Sequence, residues 1–452
     1  MTNSPLMLSV SGVRGIVGET MTSKVAYAFA SAFVSLLHEK LGRTPSLCVA
    51  RDSRPSGPEL QAAVAEAFVA CGCSVTDLGV VATPTAGVMI NALRADGGII
   101  VTASHNPAPW NGIKCLDGDG LAPSVEEAQE IIKRFKAGVT LDKQDGGSVE
   151  INTQGNDTHL SKLLGVIDPA PIQKCGFRVV LDSINGAGCV SGYRLLKLLG
   201  CEILHLNGDP TGDFAHTPEP KKENLGDLCS AVSAFNADVG FAQDPDADRL
   251  AIVDDTGRYI GEEYTLVLAA SRWLEQHPNA STASNLSTSR MIDDVALSLG
   301  CNTFRSAVGE ANVAGAMKEH HCVIGGEGNG GVIFPRVCWV RDSLSAMMLT
   351  LDLMRDRGTT LSNIVDELPA YTMIKRAIDL KDLGGTQAIA TEIERLKETY
   401  ASEQLDDRDG LRIDFEEGWV HLRSSNTEPI ARIIAEGRDE TIANSLADRV
   451  QL

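Results

Sequence analysis

Three stretches of the chain repeat one order of apolar and polar positions. They are "LCVARDSRPSGPELQAAVAEAFVACGCSVTDLGV", "RVVLDSINGAGCVSGYRLLKLLGCEILHLNG" and "ASNLSTSRMIDDVALSLGCNTFRSAVG". Each runs from a short apolar strand through a polar turn with Ser or Thr to an amphipathic stretch, then to Gly-Cys and another strand. The pattern predicts three βαβ units, with helix stripes at Leu60, Val64 and Phe68 in the first and at Leu195, Leu198 and Leu199 in the second. Gly72, Gly200 and Gly300 fall where a helix C-cap is expected. Two such units are ordinary in α/β proteins; the third copy argues for related domains.

The gaps between the units set the domain limits. Lys136 to Gly155 is rich in Gly, Asp and Thr and separates the first unit from a new helix near Asp157. A turn at Asp254 to Gly257 leads into a helical stretch from Glu262 to Glu275. Beyond Leu368-Pro369-Ala370 the pattern predicts one long charged helix around Ala388 to Leu405, then a hairpin-like strand pair in "LRIDFEEGWVHLRSSNTEP". The expected fold class is therefore three related α/β domains, 1–152, 153–255 and 256–368, followed by a smaller α+β domain, 369–452.

Composition narrows the functional classes. A net charge of −20 opposes nonspecific binding to nucleic acid or an anionic membrane. No apolar run reaches the roughly 18 uncharged residues of a membrane span, and the N-terminus lacks a signal-like core, so a soluble cytoplasmic protein is expected. The eleven cysteines contain no CxxC pair and read as small buried hydrophobes in a reducing compartment.

Chemistry concentrates in four loops. "VTASHNPAPWNGIK" leaves the apolar run Gly98 to Val101 directly into Ser104, His105 and Asn106, a strand end that offers polar groups to a cleft. "QDPDADR" sets Asp244, Asp246 and Asp248 alternately between two apolar strands. In an extended loop these carboxylates fall on one side, about 6–7 Å apart at Cα, and can close on one hard cation, Mg²⁺ fitting best. A solvated acidic turn is the alternative, though a poor fit between apolar strands. In "GGEGNGG", Glu327 and Asn329 offer paired hydrogen-bond groups suited to vicinal hydroxyls; taken alone, a plain turn explains the stretch more simply. In "RSSNTEPIAR", Arg423 and Arg432 flank hydroxyls and an amide, a set suited to a phosphate monoester, unless the arginines answer Glu416, Glu417 and Glu428 on the surface.

In this order, TASHNP with NGIK, DPDADR, Glu327 to Gly330 and Arg423 to Pro429, the motifs resemble those of the α-D-phosphohexomutases over almost the whole chain. "SGVRGIVGE", "RDSRPSG" and "TPEP" support the likeness. The resemblance implies an isomerase that interconverts hexose 6-phosphate and hexose 1-phosphate. It implies four domains around a central cleft, the last one TATA-box-binding-protein-like. It also implies a phosphate carried on Ser104, with Arg14, Lys114 and Arg249 near the bridging oxygens and His105 and Asn106 shaping the loop. Mg²⁺ is then held by Ser104 and the three aspartates, and the sugar by Glu327 and Asn329. Arg423, Ser425, Asn426, Thr427 and Arg432 grip a phosphate. A hexose 1,6-bisphosphate is the implied intermediate, and the molecule is a monomer or homodimer.

This chain departs from the family at three places. Asn329 and Gly331 stand where many members have Ser and His, and Ala307-Val308-Gly309-Glu310 stands where phosphomannomutase/phosphoglucomutase members have Lys-Thr-Gly-His. "VGE" is nearer the "VGD" of phosphoglucosamine mutases, which tilts the expected sugar toward glucosamine over mannose or glucose. Arg336 and Arg341 are left without a role. A metal-dependent sugar-phosphate phosphatase is the rival enzyme, and a silent sugar-phosphate sensor the rival binder.

Overall fold

The computed structural model describes residues 6–383, 385–425 and 430–452. Each repeat is a strand, a helix and a second strand that pairs in parallel with the first. The pairs are Ser46–Arg51 with Ser74–Val80, Arg178–Asp182 with Glu202–Leu206, and Ser281–Asn285 with Asn302–Ser306. All three helices end alike. Gly72, Gly200 and Gly300 take φ of +80°, +74° and +70°, and the following cysteine N–H reaches back to Phe68, Leu196 and Ala296 carbonyls. That double turn is a Schellman motif, and the positive φ explains the glycine.

Each repeat then adds a third strand, parallel to the first on its other side, and a fourth folded back antiparallel onto the third. The third and fourth strands are Gly97–Val101 and Trp110–Asp117, Val239–Gln243 and Leu250–Asp254, and Ile324–Glu327 and Gly331–Ile333. The first sheet is extended to seven strands and the other two keep four, all of them mixed. In the last domain five antiparallel strands stand in the order Thr372–Asp379, Ile430–Gly437, Gly418–Ser424, Leu411–Asp414, Gln404–Asp406.

Four local expectations need correction. The stretch from 136 to 155 is more than a spacer, because Ser148–Ile151 pairs with Ser74–Val80 as the outer strand of the first sheet. The charged helix runs Thr386–Thr399 and stops short of Leu405, which pairs with Ile413 and packs on the core of the last domain. Leu198 is 40% exposed; Leu195, Leu196 and Leu199 form the buried stripe, and Leu198 sits past its edge. Of the eleven free cysteines nine are buried, whereas Cys175 is exposed and Cys229 half-buried.

One continuous apolar core runs under the first three sheets, through the helices Thr83–Leu93, Glu263–Glu275 and Ser343–Arg357. His159 pins the same region: its buried ring meets Thr85 Oγ1 at 2.9 Å and Asp342 Oδ2 at 3.2 Å. The last domain has a separate core and meets the third through polar groups. Arg412 Nη1 donates to the Leu286 carbonyl at 2.6 Å, Arg290 Nη2 to the Gly418 carbonyl at 3.0 Å, and Lys375 Nζ to Glu262 at 2.8 Å. Interfaces of this polar kind permit relative domain motion. Among the described residues no helix is long and apolar enough to cross a membrane.

Candidate active site

The three chemistry loops of the first three domains occupy one topological position used three times. Residues 102–109, 244–249 and 328–330 each join the third strand of a repeat to its antiparallel fourth, so all leave a sheet at the carboxyl end of its third strand. In the last domain the arginine motif spans the link between Gly418–Ser424 and Ile430–Gly437. Asn426 and Thr427 lie outside the described residues.

Ser104 is buried and holds φ +50°, a left-handed conformation that costs a non-glycine residue about 1–2 kcal/mol. Its Oγ donates to Asp244 Oδ2 at 3.0 Å and lies 3.3 Å from His105 Nδ1. Arg54, from "RDSRPSG", maintains that conformation. Fully buried, it donates to the carbonyls of Ser104 at 2.7 Å, Asn106 at 2.6 Å, Pro107 at 2.9 Å and Trp110 at 3.0 Å. Its Nε is paired with Asp52 at 3.0 Å, and Asp52 also accepts from Thr102 at 2.7 Å. Neither Arg54 nor Asp52 was singled out in the sequence beyond membership of a motif, since a salt bridge two residues apart gives no sign of the loop it supports.

The aspartate loop is not extended. Ala247 takes φ +54° and its N–H returns to the Asp244 carbonyl at 2.9 Å, a tight turn that gathers the three carboxylates within 4.8 Å of one another. Asp244 Oδ1 accepts the Asp248 and Arg249 N–H groups, both at 3.1 Å. Burial and repulsion from Asp246 and Asp248 push Asp244 well above the usual carboxylate range. Burial alone would raise Asp248 too, but Arg341, Lys114 and Arg249 outweigh it and hold that carboxylate far below its ordinary value. Asp246 Oδ1 and Asp248 Oδ1 are buried with no hydrogen-bond partner. Three converging carboxylates, two of them with an orphaned buried oxygen, fit a hard divalent cation, and Ser104 Oγ beside Asp244 fits a fourth oxygen ligand.

Cations surround this set. Lys114 Nζ donates to Asp246 at 2.6 Å and Asp248 at 3.0 Å. Arg14 Nη1 donates to Asn106 Oδ1 at 2.8 Å, and burial lowers its pKa to about 10. Arg249 lies with Nε 3.9 Å from Asp248 and without a hydrogen-bond partner for that nitrogen. Burial, with Arg249 and Arg14 close by, pushes His105 well below its usual range and so keeps it neutral near pH 7.

Arg341, unassigned in the sequence, joins the aspartate loop to the Glu327 loop. It donates to Asp248 at 2.7 Å and Glu327 at 2.7 Å, and its Nε lies 3.3 Å from Glu310. A Cβ at Gly331 would stand 2.2 Å from Arg341 Cδ, so the missing side chain at 331 is what admits the arginine. Arg336, by contrast, is exposed. Glu327 Oε1 also accepts from Asn285 at 2.9 Å and the Gly309 N–H at 3.2 Å, and Asn329 sits 3.5 Å from Oε2. Glu263 lies flat against Gly328, where any Cβ would collide with its carboxylate, and burial lifts its pKa to about 8. Nothing in the sequence pattern marked this glutamate.

In the last domain Arg423 is buried, with Nε on Asp409 Oδ2 at 2.9 Å. Arg432 stands directly opposite it in the ladder, which puts both side chains on one face of the sheet. Ser425 closes the strand end, its N–H on the Ile430 carbonyl at 2.9 Å. Glu417 is taken by Arg449 at 2.7 Å.

Comparison with known proteins agrees domain by domain. The description "Phosphoglucomutase/phosphomannomutase" matches as alpha/beta/alpha domain I over residues 7–141, domain II over 157–257, domain III over 261–371 and C-terminal domain over 377–452. A probable phosphoglucosamine mutase of Methanopyrus kandleri is 36% identical, the match covering 97% of this chain and 95% of the relative. A phosphoglucomutase/phosphomannomutase of Thermococcus kodakarensis is 35% identical over 95% and 94%. Among solved structures, a phosphoglucomutase/phosphomannomutase family protein of Burkholderia thailandensis superimposes with TM-score 0.85 at 27% identity, covering 98% of this chain and 95% of that one. The N-acetylphosphoglucosamine mutase of Aspergillus fumigatus, solved with GlcNAc-6P and magnesium, shares the fold at TM-score 0.60 and 14% identity, covering 99% and 95%. With all four domains matched in order, this chain belongs to the phosphoglucomutase/phosphomannomutase family and is a phosphohexomutase, an isomerase.

Proposed function

We propose that Ser104 carries the phosphoryl group in an interconversion of hexose 6-phosphate and hexose 1-phosphate, with glucosamine phosphate the preferred substrate. The observation that carries the reading is the contact of Ser104 Oγ with Asp244, made where equivalent turns of separate domains converge. Relatives named phosphoglucosamine mutase and the "VGE" loop support the glucosamine branch. In this reading the domain limits are 1–152, 153–255, 256–368 and 369–452.

The free hydroxyl of the sugar phosphate attacks phospho-Ser104: its oxygen bonds to phosphorus as the bond from phosphorus to Ser104 Oγ breaks, and its proton ends on Ser104 Oγ, leaving free serine and a hexose 1,6-bisphosphate. The bisphosphate turns end for end, and its other phosphoryl group returns to Ser104. Such transfers need positioning and charge neutralisation more than covalent help. Lys114, Arg14 and Arg249 neutralise the transferring group, while His105 and Asn106 hold the loop around Ser104. Asp244, Asp246, Asp248 and Ser104 would hold Mg²⁺, which when bound polarises the phosphoryl oxygens and lowers the cost of a serine alkoxide. Glu327 and Asn329 take sugar hydroxyls. Arg423, Ser425, Asn426, Thr427 and Arg432 grip the phosphate that is not being transferred, in either orientation of the sugar.

Turnover of glucosamine, glucose and mannose phosphates, measured side by side for the wild type and Ser104→Ala, tests the reading. Wild-type protein is expected to prefer glucosamine phosphate and to show a mass fraction heavier by one phosphate. Ser104→Ala loses that fraction and several orders of magnitude in turnover. Near-wild-type turnover in the variant defeats the assignment.

A further inference from the structure

Arg423 does not stand free at the edge of its domain. Asp409, in the turn before Leu411–Asp414, places one carboxylate oxygen, Oδ2, on both Arg423 Nε at 2.9 Å and the Val308 N–H of the third domain at 3.0 Å. Gly410 lets this turn lie so close: at φ +73°, any Cβ there would sit 2.1 Å from the Leu422 carbonyl and 2.9 Å from Arg423 Cβ. The next N–H after Val308, that of Gly309, donates to Glu327 of the sugar loop. Two consecutive peptide N–H groups thus connect the sugar carboxylate with the carboxylate that holds the clamp arginine. The Asp409 carbonyl meets His421 Nε2 at 2.6 Å, and His421 Nδ1 meets Ser287 Oγ of the third domain at 2.9 Å. The guanidinium, pinned through Nε, keeps Nη2 buried and without a partner among the described residues.

We propose that Asp409 is a positioning residue of the phosphate clamp: it fixes Arg423 through Nε, so that the Nη edge meets the phosphate, and it does so from a turn docked on the third domain beside the sugar loop. The inference rests on the phosphohexomutase reading, in which Arg423 grips the phosphate that stays on the sugar. An arginine is a long rotamer-rich side chain, and ordering it before the ligand arrives removes a cost otherwise met on binding. Docking of the last domain and readiness of the clamp are then one event, because the same oxygen serves both.

The test uses the full chain in a Ser104→Ala background, so that glucose 6-phosphate binds without turnover, and measures its Kd by calorimetry. Asp409→Ala is expected to weaken binding roughly three- to tenfold, the worth of one immobilised side chain. Asp409→Asn, which keeps an acceptor, recovers part of the loss and also serves if the alanine variant folds poorly. Combined with Arg423→Ala, either substitution weakens binding by much less than it does alone, since Asp409 acts chiefly through that arginine. With Ser104 restored, KM rises for both the 1-phosphate and the 6-phosphate while kcat stays within about twofold. Additive losses in the double variant, unchanged Kd in Asp409→Ala, or a fall in kcat with KM unchanged overturn the proposal. Absence of wild-type turnover would strike the mutase reading alone, because the binding series still judges Asp409.

Discussion

Arg54→Lys separates the charge of the loop anchor from its geometry. The guanidinium of Arg54 spans the carbonyls of Ser104, Asn106, Pro107 and Trp110 while its Nε pairs with Asp52, and the side chain is 0% exposed. A lysine keeps the charge but ends in one compact ammonium that cannot reach all of these oxygens. At least two of the four carbonyls lose their donor, at about 1–3 kcal/mol for each that stays out of water. Contact with the Phe214 ring, 4.9 Å from the guanidinium carbon, is lost as well. We expect about 3 kcal/mol of destabilisation in total, within the range for disturbing a buried ion pair. Taken over one domain of this size, that lowers the first melting transition by roughly 6–12 °C. The functional loss is larger. Ser104 holds φ +50° only against strain, and without its anchor the loop relaxes and carries Oγ away from Asp244. A displacement of about 1 Å costs on the order of a hundredfold in rate. Calorimetric melting, kcat, and the phosphorylated fraction by intact mass read the two effects. An Arg54→Lys protein that melts within 2 °C of the wild type, a margin of roughly 1 kcal/mol, and regains its phosphate at the wild-type rate would refute the reasoning.

Gly331→Ala drives a methyl group into Arg341 Cδ, whose guanidinium is fixed on three carboxylates, and should cost about 1–3 kcal/mol with a raised KM for the sugar phosphate. Adding Arg341→Met should cost less than the sum of the single changes, and strict additivity in denaturant titrations would show that the two residues do not compete for the space. His421 gives a pH signature. Burial, with Arg423 and Arg412 nearby, lowers it to about 4 despite Asp409, against an ordinary value of 6.5. Between those pH values the unfolded chain binds a proton that the folded chain refuses, so stability falls as pH drops, by up to about 3 kcal/mol. Melting from pH 7 to pH 4.5 should therefore fall more steeply in the wild type than in His421→Gln, and parallel curves would exclude His421 as the source.

Local rules carried much of the fold. The repeat was legible because strand, helix and cap each leave marks a few residues long: an apolar run, a stripe such as Leu60, Val64 and Phe68, and a glycine at the left-handed end of the helix. The end of the charged helix leaves no such mark, for the converse reason. The choice between continuing past Thr399 and pairing Leu405 with Ile413 rests on a strand brought alongside by the chain's return.

The site divides along the same line. Ser104, the three aspartates, Glu327 and Arg423 stood out because reactive groups in short loops between apolar strands are visible in one dimension. That the first three of these loops share one topological position was not, since only the sheet orders reveal it. Arg54, Arg341 and Asp409 were silent. Their partners are backbone carbonyls, carboxylates or peptide N–H groups as far as 101 residues away in sequence, as Asp409 is from Val308. A long charged side chain reads the same on a surface as in a core until topology decides what surrounds it. Burial then makes every unmet hydrogen bond costly, and so sets which oxygen each arginine must serve.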